Sequence, residues 1–162
     1  MRREVPGPGQ ESVWDYPRPP RLEQTPRRIR IVFGGVTIVD TTDAWRVLET
    51  SHPPNYYIPP AAFQDGVLVP SPGGSVCEWK GRAAYLSVRA AGRVAESAAW
   101  TYPHPTAGFA ALAGYVAVYP GAMDACLVDD EVVTPQPGSF YGGWIISDVV
   151  GPFKGVPGSW GW

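Results

Sequence analysis

The chain has 162 residues, of which 44% are hydrophobic and 17% charged, with a formal net charge of −2. A real core can form in one domain with extensions, and the lack of any long basic block argues against an electrostatic nucleic-acid binder. Nineteen prolines and nineteen glycines exclude long helices and predict short elements joined by turns.

Residues 1–27 read as an extended arm. "PGPG" and "YPRPP" favour polyproline II and turns, with Trp14 and Tyr16 as possible anchors on the domain surface. No apolar run in this arm resembles a signal peptide. The most apolar stretch, 109–118, is too short to span a bilayer. A soluble, cytoplasmic protein without a membrane partner is the expectation.

"RIRIVFGGVTIVD" (28–40) predicts two strands around a Gly34-Gly35 hairpin turn. "AWRVLET" (44–50) continues as a third strand, with Trp45 in the core. "SHPPNYYIPP" (51–60) holds four prolines, so it is an ordered, rigid loop; Pro59-Pro60 can start a short helix over "AAFQ". "GVLVP" (66–70) is a short strand and "SPGGS" a turn. The segment 76–90 carries the next long strand, turned at Ala91-Gly92 and returned antiparallel by 93–102. In "PHPTAGFAALAG" (103–114) a short helix is expected, with Thr106 as N-cap and Gly114 as stop. "YVAVYPG" (115–121) is a strand, and 125–133 a last hairpin on Asp129-Asp130. The fold class is mainly β: a compact, curled antiparallel sheet, barrel- or tent-like, with one or two short helices. Residues 134–162 are rich in Gly, Pro and aromatics, which a disordered tail normally lacks, so this tail is expected to pack on the 28–133 domain.

The chemistry-bearing residues fall in three segments. "CEWKG" joins Cys77, Trp79 and Lys80. Strand alternation separates Cys77 from Lys80, unless the chain breaks at Trp79-Lys80 beside Gly81. Cys77 is either a nucleophile activated by a base or a small buried hydrophobe, and the second is favoured. Lys80 suits an anion, a carboxylate or a carbonyl. His52 and Tyr57 sit in the proline-rich loop, which can hold them rigidly. Trp100 and Tyr102 complete an aromatic set suited to pocket walls. Glu78 has no located partner and is a bystander, and His104 is a structural loop residue. Cys77 and Cys126 lie far apart without CxxC spacing, which excludes a paired-cysteine zinc site and demands no disulfide. Neither a metal nor a cofactor is expected.

Four stretches together, "VFGGVTIVDTTDAWRVLETSHPPNYYIP", "CEWKGRAAYLSV", "ESAAWTYPHP" and "GYVAVYPG", resemble the bacterial and fungal family called domain of unknown function 427. The resemblance spans roughly 28–133, and "FYGGW" and "GPFKG" are similar to the tail of long, actinobacterial-type members. It implies a compact antiparallel β domain, and it carries His52, Tyr57, Cys77, Trp79, Lys80, Gly81, Trp100, Tyr102 and Pro103 as motif positions. Short members resemble "CPWKG", whereas this chain has Glu78, so no role rests on position 78. A nucleotidyltransferase-like label used for the family finds no clustered carboxylates here.

The leading expectation is a domain binding an unknown small molecule, with an enzyme acting on an anionic or carbonyl-containing substrate as its sharper form. In it Tyr57, Trp79, Trp100 and Tyr102 contact the ligand, and Lys80, His52 and Cys77 carry any chemistry. The alternatives are a scaffold working through its Pro- and aromatic-rich termini and a nucleotidyltransferase-like enzyme. No oligomeric state is read from the residues.

Overall fold

The computed structural model describes residues 1–138 and 140–162. In chain order the strands are β1 (Glu11–Ser12), β2 (Arg21–Thr25), β3 (Ile29–Phe33), β4 (Val36–Thr41), β5 (Ala44–Leu48), β6 (Asn55–Tyr57), β7 (Leu68–Cys77), β8 (Gly81–Ala90), β9 (Arg93–Thr101), β10 (Val116–Val118), β11 (Ala125–Val128), β12 (Glu131–Val132), β13 (Thr134–Pro135), β14 (Trp144–Ile145) and β15 (Val149–Val150). The protein is mainly β, with antiparallel sheets in the orders β10-β9-β8-β7, β12-β11-β3-β4 and β2-β5-β6. A short antiparallel pair, β13-β14, and a parallel one, β1-β15, join the tail. The sheets stay open, and among the described residues none closes into a barrel.

Three expected hairpin turns form by one mechanism. Asp129 and Asp130 take φ of 47° and 71°, Ala91 and Gly92 51° and 77°, and Gly34 and Gly35 62° and 74°. Two successive positive φ angles give a turn whose twist matches the flanking strands. The expected short helices appear as 3-10 turns, at Pro60–Ala62 and Ala107–Leu112. Thr106 precedes the second but makes no side-chain cap to it.

Three local expectations differ from the structure. The 51–60 segment, expected as a loop, carries β6 at Asn55–Tyr57 between its two proline pairs, antiparallel to β5. "SPGGS" is no turn: β7 runs through it, with a register shift between Pro70 and Gly74. β7 is an edge strand, where proline's missing N–H and a bulge are tolerated. Arg21–Thr25, read as part of an irregular arm, is a strand pairing with β5 from Arg21↔Leu48 to Thr25↔Ala44. Its five residues lack proline, and β5 offers an open edge beside β6.

β6 and β10 bury both faces. Tyr56, Ile58, Val116 and Val118 join the main core with Ile29, Ile31 and Trp144, whereas Tyr57 and Ala117 join a second cluster with Trp100, Tyr102 and Leu112. The period-2 alternation of a strand divides neighbours this way. An Ile58–Val116 bridge links the two strands. Trp45, expected in the core, is only partly buried against the second cluster.

Arg46 is buried on β5 and needs partners, because an unpaired charge there is strongly unfavourable. Its Nη1 donates to Glu11 Oε1 at 2.7 Å and its Nε to Glu23 Oε1 at 3.1 Å. The Tyr16 hydroxyl donates to the same Glu11 oxygen at 2.7 Å. Burial works to raise the Glu11 carboxyl, but Tyr16 and Arg46 outweigh it and hold the group below its ordinary value of 4.5. A depressed folded pKa adds stability that is complete above the unfolded value and is lost as pH falls through the folded one. Glu11→Gln is therefore expected to flatten part of the acid limb of the Tm profile between about pH 5 and pH 3, read by calorimetry. An unchanged limb would remove Glu11 from the acid response.

Candidate functional site

The "CEWKG" stretch is a hairpin turn. β7 ends at Cys77 and β8 begins at Gly81, the two being Cα partners. Glu78, Trp79 and Lys80 reverse the chain, and Gly81 takes φ 109°. Strict alternation would have put Cys77 and Lys80 on opposite faces; the turn brings both to one cavity. Thr106 clamps it from outside: its N–H donates to the Lys80 carbonyl at 3.0 Å and its hydroxyl to the Trp79 carbonyl at 2.6 Å.

The cavity measures about 290 Å³ and is lined by His52, Tyr57, Cys77, Lys80, Trp100 and Tyr102. These come from the proline-rich loop, β6, the β7–β8 turn and the end of β9. Trp79 lies outside the lining; its ring is half-buried against the second cluster. Glu78 is exposed. His104 is also exposed and borders a separate recess with Arg82 and Pro103.

Lys80 is 6% exposed. Among the described residues its ammonium makes no ion pair and no hydrogen bond, and its nearest aromatic neighbour is the Tyr102 ring, 5.8 Å from Nζ. The side chain is largely covered but its Nζ keeps contact with solvent, so Lys80 presents a hydrated cationic donor on the cavity wall. Trp100 Nε1 donates to the Tyr57 hydroxyl at 3.1 Å, with the rings edge to face at 6.3 Å. Burial pushes the phenols of Tyr57 and Tyr102 well above the ordinary tyrosine value. Both remain neutral hydroxyls that can donate.

His52 Nδ1 lies 2.9 Å from the Thr50 carbonyl oxygen. A carbonyl only accepts, so Nδ1 carries the proton and Nε2 keeps its lone pair. Burial lowers the imidazole pKa below 6.5, outweighing the Glu49 carboxylate 3.8 Å away. Cys77 is a half-buried free thiol, while Cys126 is 2% exposed in the main core, where burial raises its pKa.

The sequence reading missed the residues that close the cavity. Glu49 and Asn55 line it from the same loop as His52, and the Tyr119 ring lies against Trp100 at 4.7 Å, tilted by 51°. Asn55 stands two residues before Tyr57 on β6, hence on the same strand face. From the tail, Tyr141 meets the His52 ring edge to face at 5.5 Å. Gly142 lies so close to Trp100 that a Cβ there would be 2.3 Å from Cη2. The signal was present in "FYGGW", but nothing local says which surface two glycines press against.

Among the described residues no group of three His, Cys, Asp or Glu side chains could hold a metal. The carboxylates nearest a nucleotidyltransferase pattern are engaged at the surface: Asp124 by Arg93 at 3.1 Å, Asp129 by Arg27 at 2.8 Å, and Asp130 by Arg30. No helix of the described residues is long and apolar enough to cross a membrane.

A search of curated proteins finds no match. A family profile described as Domain of unknown function (DUF427) matches residues 21–129. The matched span runs from β2 through β11 and holds every lining residue expected from the sequence, but not the 140–142 segment that closes the cavity. The chain therefore belongs to the DUF427 family.

Proposed function

We propose that this protein is a small-molecule-binding β domain whose ligand places an anionic or carbonyl oxygen on Lys80. The observation that carries this reading is Lys80 on the wall of an aromatic-lined cavity, its stem covered and its ammonium without an ion pair or hydrogen bond among the described residues. Tyr57, Trp100 and Tyr102 supply the aromatic walls. The Tyr102 hydroxyl and His52 Nε2 are the groups for hydrogen bonding or proton transfer, and Cys77 stands beside them as the nucleophile of an enzymatic version. At about 290 Å³ the space sits at the small end of ligand pockets.

Binding of benzoate, pyruvate and acetate, followed by ligand-observed NMR, tests the reading. At least one is expected to bind the wild type, and Lys80→Met is expected to weaken it about tenfold or more, as for a lost charge-assisted hydrogen bond. Lys80→Arg should retain part of the affinity and guards against a folding artefact. Equal binding by Lys80→Met would sink the proposal. Iodoacetamide separates enzyme from binding module: selective labelling of Cys77 faster than free cysteine supports covalent chemistry, and inertness with retained binding supports a binding module.

A scaffold reading draws on Trp160, 90% exposed, and Phe140, 76% exposed. The strand pairing of the arm with the tail and the full burial of Trp144 speak against it, because those parts of the termini are occupied within the chain.

A further inference from the structure

The cavity carries groups of both signs. Lys80 lines it with an ammonium, and the loop that starts at Glu49 lines it with the Glu49 carboxylate, His52 and Asn55. The Asn55 oxygen is buried with no hydrogen-bond partner. Glu49 lies 3.7 Å from Arg18 Nε, but its carboxylate accepts no hydrogen bond among the described residues. Buried polar atoms are nearly always satisfied, so the orphaned Asn55 oxygen is an unused acceptor, and with a carboxylate and an ammonium lining the same cavity the groups complement a ligand bearing both charges. The rings of Tyr57, Trp100 and Tyr102 line the same cavity, and their faces tolerate either an alkyl chain or a cation.

We propose that the cavity takes a small zwitterion of the amino-acid class, with its carboxylate on Lys80 and its protonated amine at Glu49, His52 and Asn55. This rests on the reading of Lys80 as the anion contact. The prolines at 53 and 54 hold His52 and Asn55 at a set separation, since proline removes chain freedom. The His52 tautomer fits the same assignment: with its proton committed to the Thr50 carbonyl, Nε2 can only accept. A neutral imidazole also avoids repelling an ammonium, and burial keeps it neutral at physiological pH.

The test uses the full chain and three matched probe series: ω-amino acids from 3-aminopropanoate to 6-aminohexanoate, the plain carboxylates of the same lengths, and the plain amines. Calorimetric titration at low ionic strength reads affinity. The best ω-amino acid is expected to bind about tenfold or more tighter than its matched carboxylate, the worth of a charge-assisted contact. Asn55→Leu and Glu49→Gln are expected to erase that advantage while leaving the carboxylate unchanged. Asn55→Asp, which keeps the shape, should preserve or enlarge it, and this holds even if the leucine variant folds poorly. Lys80→Met should weaken both series. A carboxylate that binds as tightly as its ω-amino acid overturns the zwitterion but leaves the anion site standing. Carboxylate binding unaffected by Lys80→Met overturns the anion site itself. No binding by any probe at millimolar concentration overturns both.

Discussion

Trp144→Ala is expected to remove about 3–5 kcal/mol of folding stability, the range for deleting a buried large aromatic. Trp144 is fully buried in the main core. Its ring lies 4.9 Å from Tyr56, and its Nε1 donates to the Val118 carbonyl at 3.3 Å. Its backbone N–H donates to the Pro54 carbonyl at 2.8 Å. The side chain therefore joins the tail to β6 and β10, and the backbone at the same residue ties it to the proline-rich loop. Tyr56 is back to back with Tyr57 on β6, so the loss also loosens the wall behind the cavity. Urea denaturation reads the energy, and Trp144→Phe should recover much of it. A loss below about 1 kcal/mol, typical of surface substitutions or less, would show that the tail does not share the core.

Gly142→Ala is expected to lift the tail from the cavity mouth. An added Cβ would stand 2.3 Å from Trp100 Cη2 and 2.9 Å from Cζ3. Trp100 has little room to yield, being held by the Tyr57 hydroxyl on one side and the Tyr119 ring on the other. The backbone at 140–142 must give instead, at about 1–3 kcal/mol, as for overpacking. Raising Tyr141 off His52 exposes the cavity, so Cys77 should react faster with a thiol-specific reagent such as DTNB. Gly161→Ala is the control, because a Cβ there meets nothing within 4 Å. Wild-type stability together with a wild-type labelling rate in Gly142→Ala would mean that the tail does not close the site.

These two results concern residues outside the matched family span. The cavity's base is built within the matched span, and residues 140–142 that help close it lie outside.

The expected site residues came from three sequence segments, and six of the seven line one cavity. Their convergence was legible because each belongs to a β-type element or a rigid loop with few alternatives. The exception, Trp79, shows the limit. Once 78–80 is a turn and not strand, alternation no longer says where its side chains go. Cys77 and Lys80 share a cavity for the same reason. Arg21–Thr25 shows a second limit: a five-residue polar segment pairs or stays irregular according to whether an edge is open beside it, and β5 provides one.

What the sequence by itself determined is local. Two-residue turns at Gly34-Gly35, Ala91-Gly92 and Asp129-Asp130 follow from which residues accept positive φ. The exclusion of long helices follows from proline and glycine content, whereas the 51–60 segment, expected as a loop, carries β6 between its two proline pairs. Only the tertiary structure decided what those elements face. Asn55 looks into a cavity, and Gly142 has to be glycine, because segments dozens of residues away close over them. Contacts of that kind depend on packing of the whole chain, and no short window of sequence contains both partners.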